Sequence, residues 1–256
     1  MIDCSVEGRV VIVTGASRGI GLGLATHLAR AGARLVITGR KPDRLAATSA
    51  RLDELGAEHL ARTVDTADRD GAFALVEETV ARFGRVDGLV TNAQTFRPVT
   101  PLAEVTPSDM DLLLNTGPKG TLWAMQAVYP HMRDQGWGRI VTMGSHAGLV
   151  GATGYGPYAS SKEAIRALTR TAAREWGPHG INVNCVCPVS VAHRMPPADD
   201  PARLAAYKAT FAEMPLGRDG DAEDDIAPVV AFLLSEACRY VTGQTFLADG
   251  GSFLHP

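Results

Sequence analysis

Short apolar runs alternate along this chain with longer stretches of helical periodicity. Val10-Val11-Ile12-Val13, Leu35-Val36-Ile37 and Leu89-Val90 carry no polar alternation. A strand with one face in water alternates apolar and polar residues, so continuous runs are expected of strands covered on both faces. Seven strands are predicted, near Arg9–Thr14, Arg34–Thr38, His59–Val64, Gly88–Thr91, Arg139–Met143, Ile181–Cys187 and Thr245–Ala248. Helical patterns fill most of the intervals, the order expected of βαβ units. The expected architecture is α/β, a seven-stranded parallel sheet with helices on both faces. Internal repeats, low-complexity tracts and an interdomain linker are absent, so residues 1–256 are expected to form a single domain.

Composition narrows the function classes. The length of 256 residues suits one α/β domain. Hydrophobic residues at 45% and charged ones at 21% are ordinary for a globular protein. A formal charge of −3 supplies no electrostatic attraction to nucleic acid or acidic membranes. Small molecules are the expected partners. No apolar run approaches the roughly eighteen residues of a membrane span, and Met1-Ile2-Asp3-Cys4-Ser5 lacks the basic and apolar regions of a signal peptide. A cytoplasmic location is expected. Four scattered cysteines do not make a disulfide framework. Cys185 and Cys187 fall on one face of a predicted strand, where core packing is expected, and no His or Cys pair has zinc-site spacing. No metal is expected.

Two stretches carry chemistry. The first predicted strand runs into Gly15-Ala16-Ser17-Arg18-Gly19-Ile20-Gly21, followed by a helical pattern. Glycines there permit a tight turn and close approach to a ligand, and the opening helix presents unpaired N–H groups to a phosphate. The second is Tyr158-Ala159-Ser160-Ser161-Lys162. A four-residue spacing places phenol and ammonium on one helical face. The cation's field favours the phenolate, and an unperturbed phenol, with a pKa of about 10, needs that bias to exchange protons near neutrality. Ser145 lies thirteen residues upstream of Tyr158, just beyond an apolar run.

The glycine turn, Asn92-Ala93, Ser145, Tyr158 and Lys162, in this order and at these separations, resemble the short-chain dehydrogenase/reductase family. The resemblance continues through Asp65, Pro188 and Asp249-Gly250-Gly251 and covers nearly the whole chain. It implies a Rossmann-fold oxidoreductase acting on a small carbonyl or alcohol substrate. It further implies a dinucleotide held by Gly15, Ser17, Arg18, Gly19, Ile20, Gly21, Arg40, Asp65, Asn92, Ala93, Tyr158, Lys162, Pro188 and Val191. Ser145 is then expected to polarise the substrate oxygen, Tyr158 to pass the proton, and Lys162 to hold the nicotinamide ribose and tune Tyr158. A homo-oligomer, tetramer or dimer, is expected on the same ground. The second predicted strand ends in Thr38-Gly39-Arg40 with no carboxylate for a ribose 2′-hydroxyl. Arg40 and Arg18 suit a 2′-phosphate, so NADP(H) is expected, with NAD(H) as the alternative.

Three stretches depart from the family pattern. Counting back 28 residues from Ser145, where most members carry an asparagine that completes a water relay to the lysine, reaches Gly117. Asn115 lies two residues earlier, and Gly117-Pro118 is expected to disturb or end a regular helix there. Gln94 stands where the family has glycine, and either contacts nicotinamide or substrate or points away. Val189 and His193 replace the usual glycine and threonine after Pro188, and His146 directly follows Ser145. Residues of about 190–218 are expected to cover the crevice. With Phe96, Leu149, Val150 and Met195 nearby by analogy, a hydrophobic ketone or secondary alcohol is favoured. These departures keep a second class open: a dinucleotide-binding regulator with weak or no catalysis.

Overall fold

The computed structural model describes residues 4–97, 99–191 and 199–254. All seven predicted strands form: β1 (Val10–Val13), β2 (Arg34–Gly39), β3 (His59–Thr63), β4 (Gly88–Thr91), β5 (Gly138–Met143), β6 (Ile181–Pro188) and β7 (Thr245–Ala248). They pair in parallel throughout, in the order β3-β2-β1-β4-β5-β6-β7. The helices are α1 (Gly19–Arg30), α2 (Pro42–Glu54), α3 (Arg69–Phe83), α4 (Pro107–Leu114), α5 (Gly120–Gln135), α6 (His146–Val150), α7 (Gly156–Trp176), α8 (Pro201–Ala209) and α9 (Ala227–Leu234).

The absence of polar alternation now has its physical cause. Successive side chains on a strand point to opposite faces, and both faces are covered. Val11, Val13, Leu35 and Ile37 pack with Leu24 and Leu28 of α1, Leu52 of α2 and Leu233 of α9. Val10, Ile12, Val36 and Leu89 pack on the other face with Leu75 of α3, Met125 and Met132 of α5 and Ala172 of α7. Burial of each of these larger side chains contributes about 1.5–3 kcal/mol.

The sheet order positions the site. β1 lies between β2 and β4, so the chain leaves it toward opposite edges, and a crevice opens beyond the carboxyl ends of β1 and β4. Gly117-Pro118 disturbs the regular helix, as expected, without ending the helical path. Asn115–Lys119 form a π-helical turn that joins α4 to α5, and this wider turn accommodates a proline with no N–H to donate. Among the described residues, no helix is long and apolar enough to cross a membrane.

Candidate active site

The glycine turn is tied down from the neighbouring strand. Asn92, just beyond β4, donates from Nδ2 to the carbonyls of Thr14 (3.0 Å) and Gly15 (3.1 Å). Thr14 Oγ1 accepts the N–H of Ala93 at 3.0 Å. Gly15 adopts φ +68, and a Cβ there would fall 2.8 Å from Ala93 Cα. A Cβ on Gly21 would fall 2.2 Å from the Gly15 carbonyl oxygen. The turn is therefore closed to side chains at both positions. Helix α1 begins behind Arg18 with no side-chain cap and no acidic residue in its first turn, which leaves its leading N–H groups for an anion.

A cavity of about 790 Å³ extends from this turn to Tyr158. Gly15, Ser17, Arg18, Gly19, Ile20, Gly21, Arg40, Asn92, Ala93, Ser145, Tyr158, Lys162, Pro188 and Val191 all line it. Asp65 does not, although Val64 and Thr66 on either side of it do. Its carboxylate accepts the N–H of Ala67 at 3.0 Å and closes its own turn. Exposed Lys41 and Arg44 join Arg18 and Arg40 at the mouth. The sequence reading passed over both, although they stand one and four residues beyond Arg40. Among the described residues, none of these four cations has a carboxylate within salt-bridge distance, so their charge faces the cavity and solvent.

At the other end Lys162 is buried, with its Nζ 5.5 Å from the centre of the Tyr158 ring. That ammonium donates to the Met143 carbonyl at 2.8 Å, which fixes its position at the end of β5. Ser145 caps α6, and its Oγ accepts the Ala147 N–H at 3.2 Å. The hydroxyl proton thus remains available to a substrate oxygen. Phe96 packs edge-on against Tyr158 at 5.4 Å, and Tyr155, also missed from sequence, lies 6.2 Å from Tyr158. Leu149 and Val150 do not line the cavity, whereas His146 does and meets the Phe253 ring at 5.3 Å. His193 and Met195 lie outside the described residues.

Two supports sit behind this end. Asp219 accepts the Val191 N–H at 3.1 and 3.0 Å and the Tyr207 hydroxyl at 2.5 Å, joining α8 to the segment after β6. Partial burial, then the Asp219 carboxylate, pushes the Tyr207 phenol up. Cys185 and Cys187 are fully buried below Gly144, where a Cβ would fall 2.8 and 2.6 Å from their sulfurs. The expectation of core packing holds for both. Cys187 donates to Cys185, and this bond together with burial pushes the Cys187 thiol well up. Among the described residues no cluster could hold a metal ion. Asn115 points elsewhere: its Oδ1 accepts from Lys119 at 2.9 Å on the exposed side of the π turn.

Comparison with known proteins places the chain. Residues 15–252 match the family profile described as "Enoyl-(Acyl carrier protein) reductase". The 12alpha-hydroxysteroid dehydrogenase of a Clostridium species is 36% identical over 98% of both chains. The chain belongs to the short-chain dehydrogenase/reductase family. This short-chain dehydrogenase/reductase is also 34% identical to the 3-oxoacyl-[acyl-carrier-protein] reductase FabG of Staphylococcus aureus, over 96% of this chain and 98% of the relative. The crystal structure of levodione reductase superposes on it with a TM-score of 0.88 at 32% identity, covering 96% of this chain and 97% of that one. Its relatives are dehydrogenases and reductases acting on CH–OH and C=O groups, and the chain is an oxidoreductase of that class.

Proposed function

We propose that this protein is an NADP(H)-dependent oxidoreductase of an uncharged, hydrophobic ring ketone or the matching secondary alcohol. The observation that carries the reading is the buried Lys162 ammonium 5.5 Å from the Tyr158 ring, in the same cavity as an uncapped glycine turn. The turn and the first N–H groups of α1 hold the pyrophosphate, and Arg18 and Arg40, helped by Lys41 and Arg44, hold the 2′-phosphate. When bound, NADPH supplies the hydride for the carbonyl carbon. The chain positions and polarises the substrate. Ser145 Oγ donates to the substrate oxygen as charge develops there, a role worth roughly 3–4 kcal/mol per donor in other enzymes. Tyr158 gives its proton to that oxygen, and Lys162 stabilises the phenolate left behind.

The substrate class follows from the asymmetry of the lining. The four exposed cations cluster at the glycine-turn end. Around Tyr158 stand Phe96, Tyr155, Ala147 and Ala152, and Lys162 is held by Met143. Aromatic walls with no exposed lysine or arginine to meet an acid suit a flat apolar ring. The relatives named for a hydroxysteroid and for levodione point the same way. The test is nicotinamide absorbance with NADPH or NADH against ring ketones, acyclic keto acids and acyl thioesters. Turnover of ring ketones with NADPH is expected. Equal or better efficiency with NADH would refute the cofactor assignment, and preference for keto acids the substrate class.

A further inference from the structure

Gln94 occupies room that another element vacates. Its side chain leaves the end of β4 and passes over the π turn at Gly117, where a Cβ would fall 2.6 Å from Gln94 Nε2 and 3.0 Å from its Cδ. Side chains at 94 and 117 therefore exclude one another. The carboxamide is oriented by its partners. Ser161 Oγ donates to the Tyr158 carbonyl at 2.8 Å, so toward Gln94 it accepts, and Nε2 is the group that faces it at 2.6 Å. Nε2 also reaches the Leu113 carbonyl at 3.5 Å. That leaves Oε1 buried and without a hydrogen-bond donor among the described residues.

A buried amide oxygen without a donor is destabilising, and an apolar side chain would fill the same space without that cost. One fact explains why a carboxamide stands there. Ser161 lies on α7 between Tyr158 and Lys162, so the Nε2 bond clamps the helix that carries both. Lys162 is also tied to the Met143 carbonyl at the end of β5.

We infer that Gln94 is a positioning residue of this active site: its carboxamide takes the room over Gly117 and clamps α7 through Ser161, which holds the helix bearing Tyr158 and Lys162 against the end of β4. The role rests on the proposed use of Tyr158 and Lys162. Gln94 does not touch the reacting atoms. The carboxamide keeps the helix in place while charge passes through Tyr158.

The test uses four variants at positions 94 and 117 and two readouts. Gln94→Ala is expected to lower kcat roughly five-fold, the worth of about one neutral hydrogen bond, to leave KM for NADPH within about two-fold, and, by loosening the hold on the helix that sets Lys162 beside Tyr158, to move the pH profile of kcat toward higher pH. Because Cβ at 117 falls beside the present carboxamide carbon, Gly117→Asn in a Gln94→Gly background returns a carboxamide to the same space and is expected to recover most of the loss. Gly117→Asn alone is expected to be impaired by collision with Gln94. The second readout needs no turnover: ultraviolet difference titration of the phenol of the cofactor-free protein, assigned by its loss in Tyr158→Phe, is expected to move to higher pH in Gln94→Ala. An unmoved titration and pH profile, or a double variant no better than Gln94→Gly, overturns the inference. If wild type turns over no ketone, the proposed function fails, and the titration still decides whether Gln94 positions the pair.

Discussion

The two ends of the cleft are built in different ways. At the glycine-turn end the proposed working groups are backbone N–H groups and exposed cations, and two structural side chains, Asn92 and Thr14, hold backbone groups of the turn and of Ala93. At the Tyr158 end the proposed working groups are side chains, and the polar groups there are held by others: Lys162 by Met143, Ser145 by Ala147, and Ser161 by Gln94. Backbone geometry tolerates change in most neighbouring side chains but no added Cβ where the chain folds closely on itself. A network of buried side chains tolerates added bulk at few places and loses function when one polar atom is removed. The first end should therefore fail through steric insertion and charge loss, the second through single-atom deletions.

The largest expected effect tests the second end. Tyr158→Phe removes one oxygen and is expected to lower kcat by about 10²- to 10⁴-fold, with NADPH affinity measured by fluorescence nearly unchanged. Substantial remaining turnover would show that the proton comes from another group. At the first end, combined Arg18→Ala and Arg40→Ala is expected to raise KM for NADPH about 30-fold, since both cations are exposed and the charge-assisted bonds are partly screened. KM for NADH should stay within about two-fold, and a parallel rise for both cofactors would break the assignment to the 2′-phosphate. Gly21→Ala places a methyl 2.2 Å from a backbone oxygen. It should cost about 1–3 kcal/mol in denaturant unfolding and weaken cofactor binding, whereas a stable variant with normal affinity would contradict the close-packed turn.

The smallest effect is a pH dependence behind the first end. The π-helical turn Ala222–Ile226 packs on α1, where a Cβ on Gly23 would meet Ala222 at 2.6 Å. Within that turn Asp225 accepts from Arg218 at 2.5 and 2.8 Å and from the Asp221 N–H at 2.7 Å. Arg218 first, then that N–H, lowers the Asp225 carboxyl to about 2. The folded value lies below the unfolded one, so the contribution is complete above about pH 4 and is lost as pH falls toward 2. The pair is largely solvated, which limits its worth to less than about 1 kcal/mol. Asp225→Asn should reduce the stability difference between pH 5 and pH 2 by about that much in urea titrations, and an unchanged difference would exclude the pair as a source of acid sensitivity.

Much of this was legible without coordinates. Each observed strand end falls within one residue of its predicted position, because burial on both faces leaves an unbroken apolar run in the sequence itself. The Tyr158–Lys162 pairing was equally legible, since a four-residue helical spacing settles which side chains are neighbours. The sequence was less informative where local geometry departs from a regular helix: Gly117-Pro118 left open whether the helix is disturbed or ends, and a π turn carries the chain through. It was silent on where a side chain turns: Asp65 sits at a strand end like the cavity residues, and its carboxylate accepts the N–H of Ala67.

Local periodicity and motif spacing thus settled the sheet, the glycine turn and the Tyr158–Lys162 pair on their own, because each depends on residues close together in the chain or on burial recorded in its composition. Only the tertiary structure decided that Asn92 staples the turn, that Lys162 anchors on Met143, and that Gln94 takes the room left by Gly117. Those pairings join residues 77, 19 and 23 positions apart. Such distances are closed only when the strands take their order in the sheet, and no local pattern encodes which side chains then meet.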